Sequence, residues 1–129
     1  MEVPYDTSVE ITVSAAAERV STVRHVVRDV LSDIGVESDC TTDLILAVDA
    51  MCGLVVACSA ESQPLRCAVT VHRDATSACV TGRLVDGLPL PVDGYAWRLL
   101  DGTVEDVAVD ARDDGWVMIT CRKPHAPSS

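Results

Sequence analysis

The chain has 129 residues, with ten Lys and Arg against twenty Asp and Glu, and a formal net charge of −10. That length predicts one domain, and a hydrophobic share of 48% excludes a disordered chain. No run of Lys or Arg occurs, which argues against direct binding to a nucleic-acid backbone. There is no Phe, and the aromatic residues are Trp97, Trp116, Tyr5 and Tyr95, so Val, Ala and Leu must fill the core.

The first residues lack the basic start and apolar run of a signal peptide, and no segment is expected to span a membrane. Residues 9–13 alternate, with Val9, Ile11 and Val13 on one side, and predict a half-buried strand. Residues 15–34 switch to helical spacing through Val20, Val23, Val27, Val30, Leu31 and Ile34, and Gly35 is placed to end that helix. Residues 39–59 are the central stretch. Leu44, Ala47, Val48, Met51, Leu54, Val55 and Cys58 recur at three-and-four spacing, the mark of a buried helix face. Asp39 or Thr41 is the expected cap, and Asp43 suits the positive end of the helix dipole.

Residues 65–72 and 78–85 read as two strands joined by a turn at 73–76. Residues 86–94 are rich in Gly and Pro and predict a loop. A short helix is expected over 95–104, then strands over 107–111 and 116–122 with a hairpin at Asp113-Asp114-Gly115. The expected fold is α+β: a two-layer sandwich with both long helices on one face of a mixed, largely antiparallel sheet. One domain over 8–122 is expected, with tails at 1–7 and 123–129.

Cys40, Cys52, Cys58, Cys67, Cys79 and Cys121 include no pair with the short gap of a zinc knuckle. Several fall on apolar faces, and the cysteines are expected to be reduced, structural thiols of a cytoplasmic protein. His25, His72 and His125 have no metal-ligand pattern. Ser14, Ser21 and Ser32 lack a nucleophile-elbow context. Asp101, Glu105, Asp106 and Asp110 form an acidic cluster, ordinarily a solvated edge.

This element order, with Asp43-Leu44-Ile45-Leu46-Ala47-Val48-Asp49-Ala50-Met51-Cys52 in the second helix, resembles the RsbW-like anti-sigma factors. Those are serine kinases of the GHKL (Bergerat-fold) ATPase superfamily. The similarity runs over residues 9–122. It is most specific at Leu46–Asp49 and includes residues 95–109, which resemble the family's C-terminal helix and following strand.

The resemblance implies a Mg-ATP pocket on the second helix. The family's general-base Glu follows the Leu-Ala-Val-Asp run, and its Mg²⁺-binding Asn lies four residues further on. Here those places hold Ala50 and Leu54, and the next turn holds Cys58. A methyl group accepts no proton, and a leucine offers no oxygen to a hard cation. The family's Asp-x-Gly-x-Gly motif corresponds to Asp86-Gly87-Leu88-Pro89-Leu90, and its phosphate lid is cut to Val92-Asp93-Gly94. The resemblance thus implies a vestigial pocket at Asp49, Ala50, Leu54, Cys58, Asp86 and Gly87, with no catalytic residue, no metal ligand and no cofactor.

The implied function is regulation of transcription, as in the family's stress response, by binding a sigma factor or a STAS-domain antagonist. The family contacts sigma through the first helix, here Glu18, Arg19, Thr22 and Arg24. A homodimer through the sheet is also implied, and neither nucleic acid nor membrane is an expected partner. Two other readings stand beside it. One is a working serine kinase, whose nearest carboxylate would be Asp49, turned about 100° away along the helix. The other is a repurposed apolar pocket at Ala50 and Leu54.

Overall fold

Strand alternation decides which side of the sheet the helices cover. In the computed structural model, which describes residues 7–85 and 89–125, the eight elements follow the expected order. They are β1 (Thr7–Ser14), α1 (Ala17–Ile34), α2 (Ser38–Ala57), β2 (Pro64–Val71), β3 (Ala75–Arg83), α3 (Tyr95–Thr103), β4 (Glu105–Ala111) and β5 (Trp116–Pro124). The sheet has the order β1-β2-β3-β5-β4, and every described pairing is antiparallel, in keeping with the largely antiparallel sheet expected. Ile11, Cys67, Val80, Ile119 and Val109 stand opposite one another across all five strands. Three of them are buried and the two edge residues pack against the core. The next row, Glu10, Ala68, Cys79, Thr120 and Ala108, faces the other way and is uncovered to varying degrees.

α1 buries Val20, Val23, Val27 and Leu31. Its end is fixed by Gly35 at φ 93°, whose N–H donates to the carbonyls of Leu31 and Ser32 while Val36 N–H donates to Leu31. Such a left-handed closure favours glycine. α2 is apolar almost all round and buries ten residues; Cys58, just past its end, completes the expected buried face. By length and composition α2 could cross a membrane, yet 56% of that window is buried inside the fold, which makes it a core helix.

The structure departs from the expectations at the ends of elements. α2 begins at Ser38 after Glu37, with no side-chain cap, so neither Asp39 nor Thr41 caps it. Asp39 lies in the first turn, Thr41 Oγ1 donates to Val36 O, and Asp43 accepts an ion pair from Lys123 at 2.7 Å. β3 starts at Ala75, inside the expected turn, because Thr76 is fully buried and its hydroxyl meets His125 Nε2 at 2.8 Å. β5 continues through Lys123 and Pro124, where a tail was expected. Lys123 pairs with Thr76 across the sheet and its Nζ also donates to Thr103 O at 3.2 Å.

The two layers approach closely where α2 crosses β3. A Cβ on Gly82 would overlap Val55 Cγ1, and Val55 is fully buried. Gly82→Ala is therefore expected to cost about 1–3 kcal/mol through overpacking, read as a lower urea midpoint at unchanged slope.

All six cysteines are free. Burial pushes the Cys67 thiol from 9.0 up to about 12 and Cys121 up to about 11, and it raises Cys52 still further. In the unfolded chain these thiols ionise near their ordinary value, so above it the unfolded state holds fewer protons than the folded one. Their contribution is complete below pH 9 and is lost as pH rises from there towards 12. Reversible unfolding followed from about pH 8 to about pH 11 should show stability falling over that window.

Candidate functional site

Positions 50, 54 and 58 are spaced four residues apart, so their side chains follow one side of α2 and its C-terminal end. In this chain the side is sealed. Ala50, Leu54 and Cys58 are 7%, 5% and 7% exposed. α2 packs along α3, and Leu100 and Val104 belong to the same apolar cluster as Ala50 and Leu54. Leu90, Ala96 and Trp97 pack against that cluster from its margin.

The segment after β3 closes down on the end of α2. Val85 N–H donates to Cys58 O at 2.7 Å, and Cys58 Sγ points at Pro89 O at 3.8 Å. Ser59 and Leu84 form an isolated bridge beside it. Asp86 and Gly87, two of the expected pocket residues, lie outside the described residues.

Asp49 stands on a different flank of α2. Its carboxylate accepts from Arg24 Nη1 at 3.1 Å, across a groove of about 410 Å³ between α1 and α2 that Gly53, Val56 and Ala57 also line. Both side chains are more than 40% exposed, so the pair is worth at most about 1 kcal/mol. It nevertheless joins an expected pocket residue to an expected partner-binding residue, a contact with no sequence signal beyond opposite charge on successive helices. Glu18, Arg19 and Thr22 are exposed on the first turns of α1. Arg19 and Thr22 share an open cavity of about 450 Å³ with Thr12, Ser14, Ser62 and Gln63.

The four expected pocket residues that are described are thus not brought together. Ala50, Leu54 and Cys58 form a buried row, and Asp49 faces Arg24. The four expected partner residues do share one helix, three of them exposed to solvent and Arg24 turned towards α2. Two connections were missed from sequence: the Lys123–Asp43 pair that ties β5 to α2, and His125 on buried Thr76. A lone basic residue at a strand end was their only trace. Among the described residues no group of His, Cys, Asp or Glu is arranged to hold a metal ion.

No protein-family model matches the chain, and no curated protein matches it. Among solved structures it is similar to the RsbU and RsbW domains of Rv1364c from Mycobacterium tuberculosis, with a TM-score of 0.75 and 18% identity. The likeness covers 95% of this chain and 34% of that one, so the chain spans about a third of its neighbour's length. The fold is RsbW-like. Within the RsbW-like fold the buried row at Ala50, Leu54 and Cys58 occupies α2 and its end, and the reactivity of the thiols follows from their burial. Cys52 is fully buried and its thiol is pushed upward, chiefly by desolvation. Cys79, on the open face of the sheet, is the one thiol that is not buried. Native-state alkylation followed by mass spectrometry should therefore label Cys79 first, and should leave Cys52 and Cys58 unmodified until the chain unfolds.

Proposed function

We propose that this chain is an anti-sigma-factor-like regulator that acts by binding protein, sequestering a sigma factor or pairing with a STAS-type antagonist, without using ATP. The observation that carries the reading is the sealed row on α2. Where phosphoryl transfer needs a base and a magnesium ligand facing open space, Ala50 and Leu54 are buried in the aliphatic core. A triphosphate entering there would displace apolar contacts and leave its charge without a cation, at a cost of several kcal/mol. The kinase reading would need Asp49 as base, and that carboxylate is held by Arg24 on another flank of the helix. The apolar-pocket reading loses its cavity, because the two side chains that were to line it are packed into the core. The RsbW-like fold supports protein partners of this kind, and the exposed Glu18, Arg19 and Thr22 give α1 a polar contact surface. This reading puts the protein in the cytoplasm, with its partners.

Isothermal titration with Mg-ATP tests the nucleotide half of the reading, and no binding is expected. Micromolar affinity would restore the kinase. The double variant Ala50→Glu, Leu54→Asn should not gain binding. It should also lose about 2–4 kcal/mol of stability, because it buries a carboxyl and an amide where methyl groups packed. Affinity capture from native cytosol tests the partner half. Capture of a sigma factor or STAS protein that Arg19→Glu abolishes is expected, and capture indifferent to α1 would refute it.

A further inference from the structure

Where β1 ends and α1 begins, a cavity of about 450 Å³ gathers polar side chains from three parts of the chain. Thr12 and Ser14 reach it from one face of β1, because they stand two residues apart on a strand. Arg19 and Thr22 reach it from α1, three residues apart and so on one side of the helix. Ser62 and Gln63 complete it from the connection between α2 and β2. Backbone bonds fix that connection: Ala15 N–H donates to Gln63 O at 2.9 Å, and Gln63 N–H donates to Ala60 O at 3.0 Å.

Among the described residues, none of these six side chains is committed to a hydrogen bond or ion pair. The lining also holds no carboxylate, although the chain carries twenty Asp and Glu against ten Lys and Arg. The cavities at Arg24, Arg112 and Arg122 each include an aspartate, respectively Asp49, Asp110 and Asp106. The one at Arg83 includes no hydroxyl. A guanidinium, four hydroxyls and an amide, with no acid among them, form a wall of donors that suits an oxyanion.

We propose that this cavity binds a phosphomonoester carried on a serine or threonine of a partner protein. A carboxylate would occupy Arg19 and leave the hydroxyls unused. A phosphate offers three acceptor oxygens and a charge of about −1.5 to −2 at pH 7. A nucleotide does not fit, because Val13 and Pro64 are the apolar walls and no aromatic ring is there to stack a base. An anionic membrane does not fit a chain of net charge −10. The cavity is far larger than a phosphate group, which leaves room for the flanking peptide. Only binding occurs here; the phosphate arrives on the partner, placed by another enzyme. This site deepens the protein-binding reading of α1 and rests on it: phosphorylation of the partner becomes the condition for contact.

Nuclear magnetic resonance titration of the ¹⁵N-labelled chain with a blocked Gly-phosphoserine-Gly peptide tests it. Shifts should concentrate at Thr12, Ser14, Arg19, Thr22, Ser62 and Gln63. Inorganic phosphate should bind about tenfold more weakly, and the unphosphorylated peptide should cause no shift. Arg19→Gln should weaken the phosphopeptide about tenfold, and Ser62→Ala, which lies off α1, about threefold. Both residues are exposed, so circular dichroism should report an unchanged fold. Shifts elsewhere, equal affinity for inorganic phosphate, or binding confined to phosphoinositide vesicles would overturn the proposal. A captured partner that depends on Arg19 but survives phosphatase treatment would refute the phosphate site and leave the protein-binding reading standing. Phosphopeptide binding at these residues without capture of a sigma factor or STAS protein would do the reverse.

Discussion

The contact of Val55 with Gly82 sets the distance between the two layers. A core with no Phe has mostly short aliphatic side chains to fill the space between helix and sheet. The layers must therefore come close, and the closest point has room for no side chain on β3. Once α2 is seated there, its position fixes what surrounds it. Leu44, Met51 and Leu100 can be fully buried only because the sheet, α1 and α3 all reach the same helix. The Lys123–Asp43 pair then holds the start of α2 to the end of β5. Dispersion contacts fall off steeply with separation, so a gap opened at Gly82 would be felt along the whole helix.

Most of the fold was legible because its two periodicities are clean. Val9, Ile11 and Val13 alternate, and Val20, Val23, Val27 and Leu31 keep to one stripe, so strand and helix separate without tertiary information. Gly35 marked the end of α1 because a left-handed residue closes that turn, and glycine adopts it without strain. The ends of the other elements were not legible, since each depends on a partner distant in sequence. Nothing local at Lys123 says that Asp43 and Thr103 will be waiting for it. Thr76 looks like a turn residue until His125 is known to bond its hydroxyl. Thr41 and Asp39 look like caps, and the helix starts one residue before Asp39 without one.

The candidate site was legible in a different way. α2 buries residues on nearly every side, so its own pattern carries no sign of which flank would face a ligand. Ala50 and Leu54 are ordinary core residues in composition, and only the resemblance marks them as places where polar groups would be expected. What the structure adds is the physical consequence. A pocket lined by carboxylate and amide must stay wet to keep those groups solvated, and a row of apolar side chains has no such need. Ala50 and Leu54 carry no such penalty for closure, and their burial in the aliphatic core adds stabilisation.

That burial bears on how the chain can be controlled. A nucleotide switch needs two states of differing affinity for the ligand, and the proposed function assigns the buried row no such role. Under the proposed protein-binding function, control would act at the surface, through what competes for the exposed turns of α1. Arg24 is the natural link between that surface and the flank of α2. Its guanidinium is held by Asp49 at 3.1 Å in a pair loose enough for a partner to exchange. Asp49 and Arg24 together form a polar latch between the two long helices.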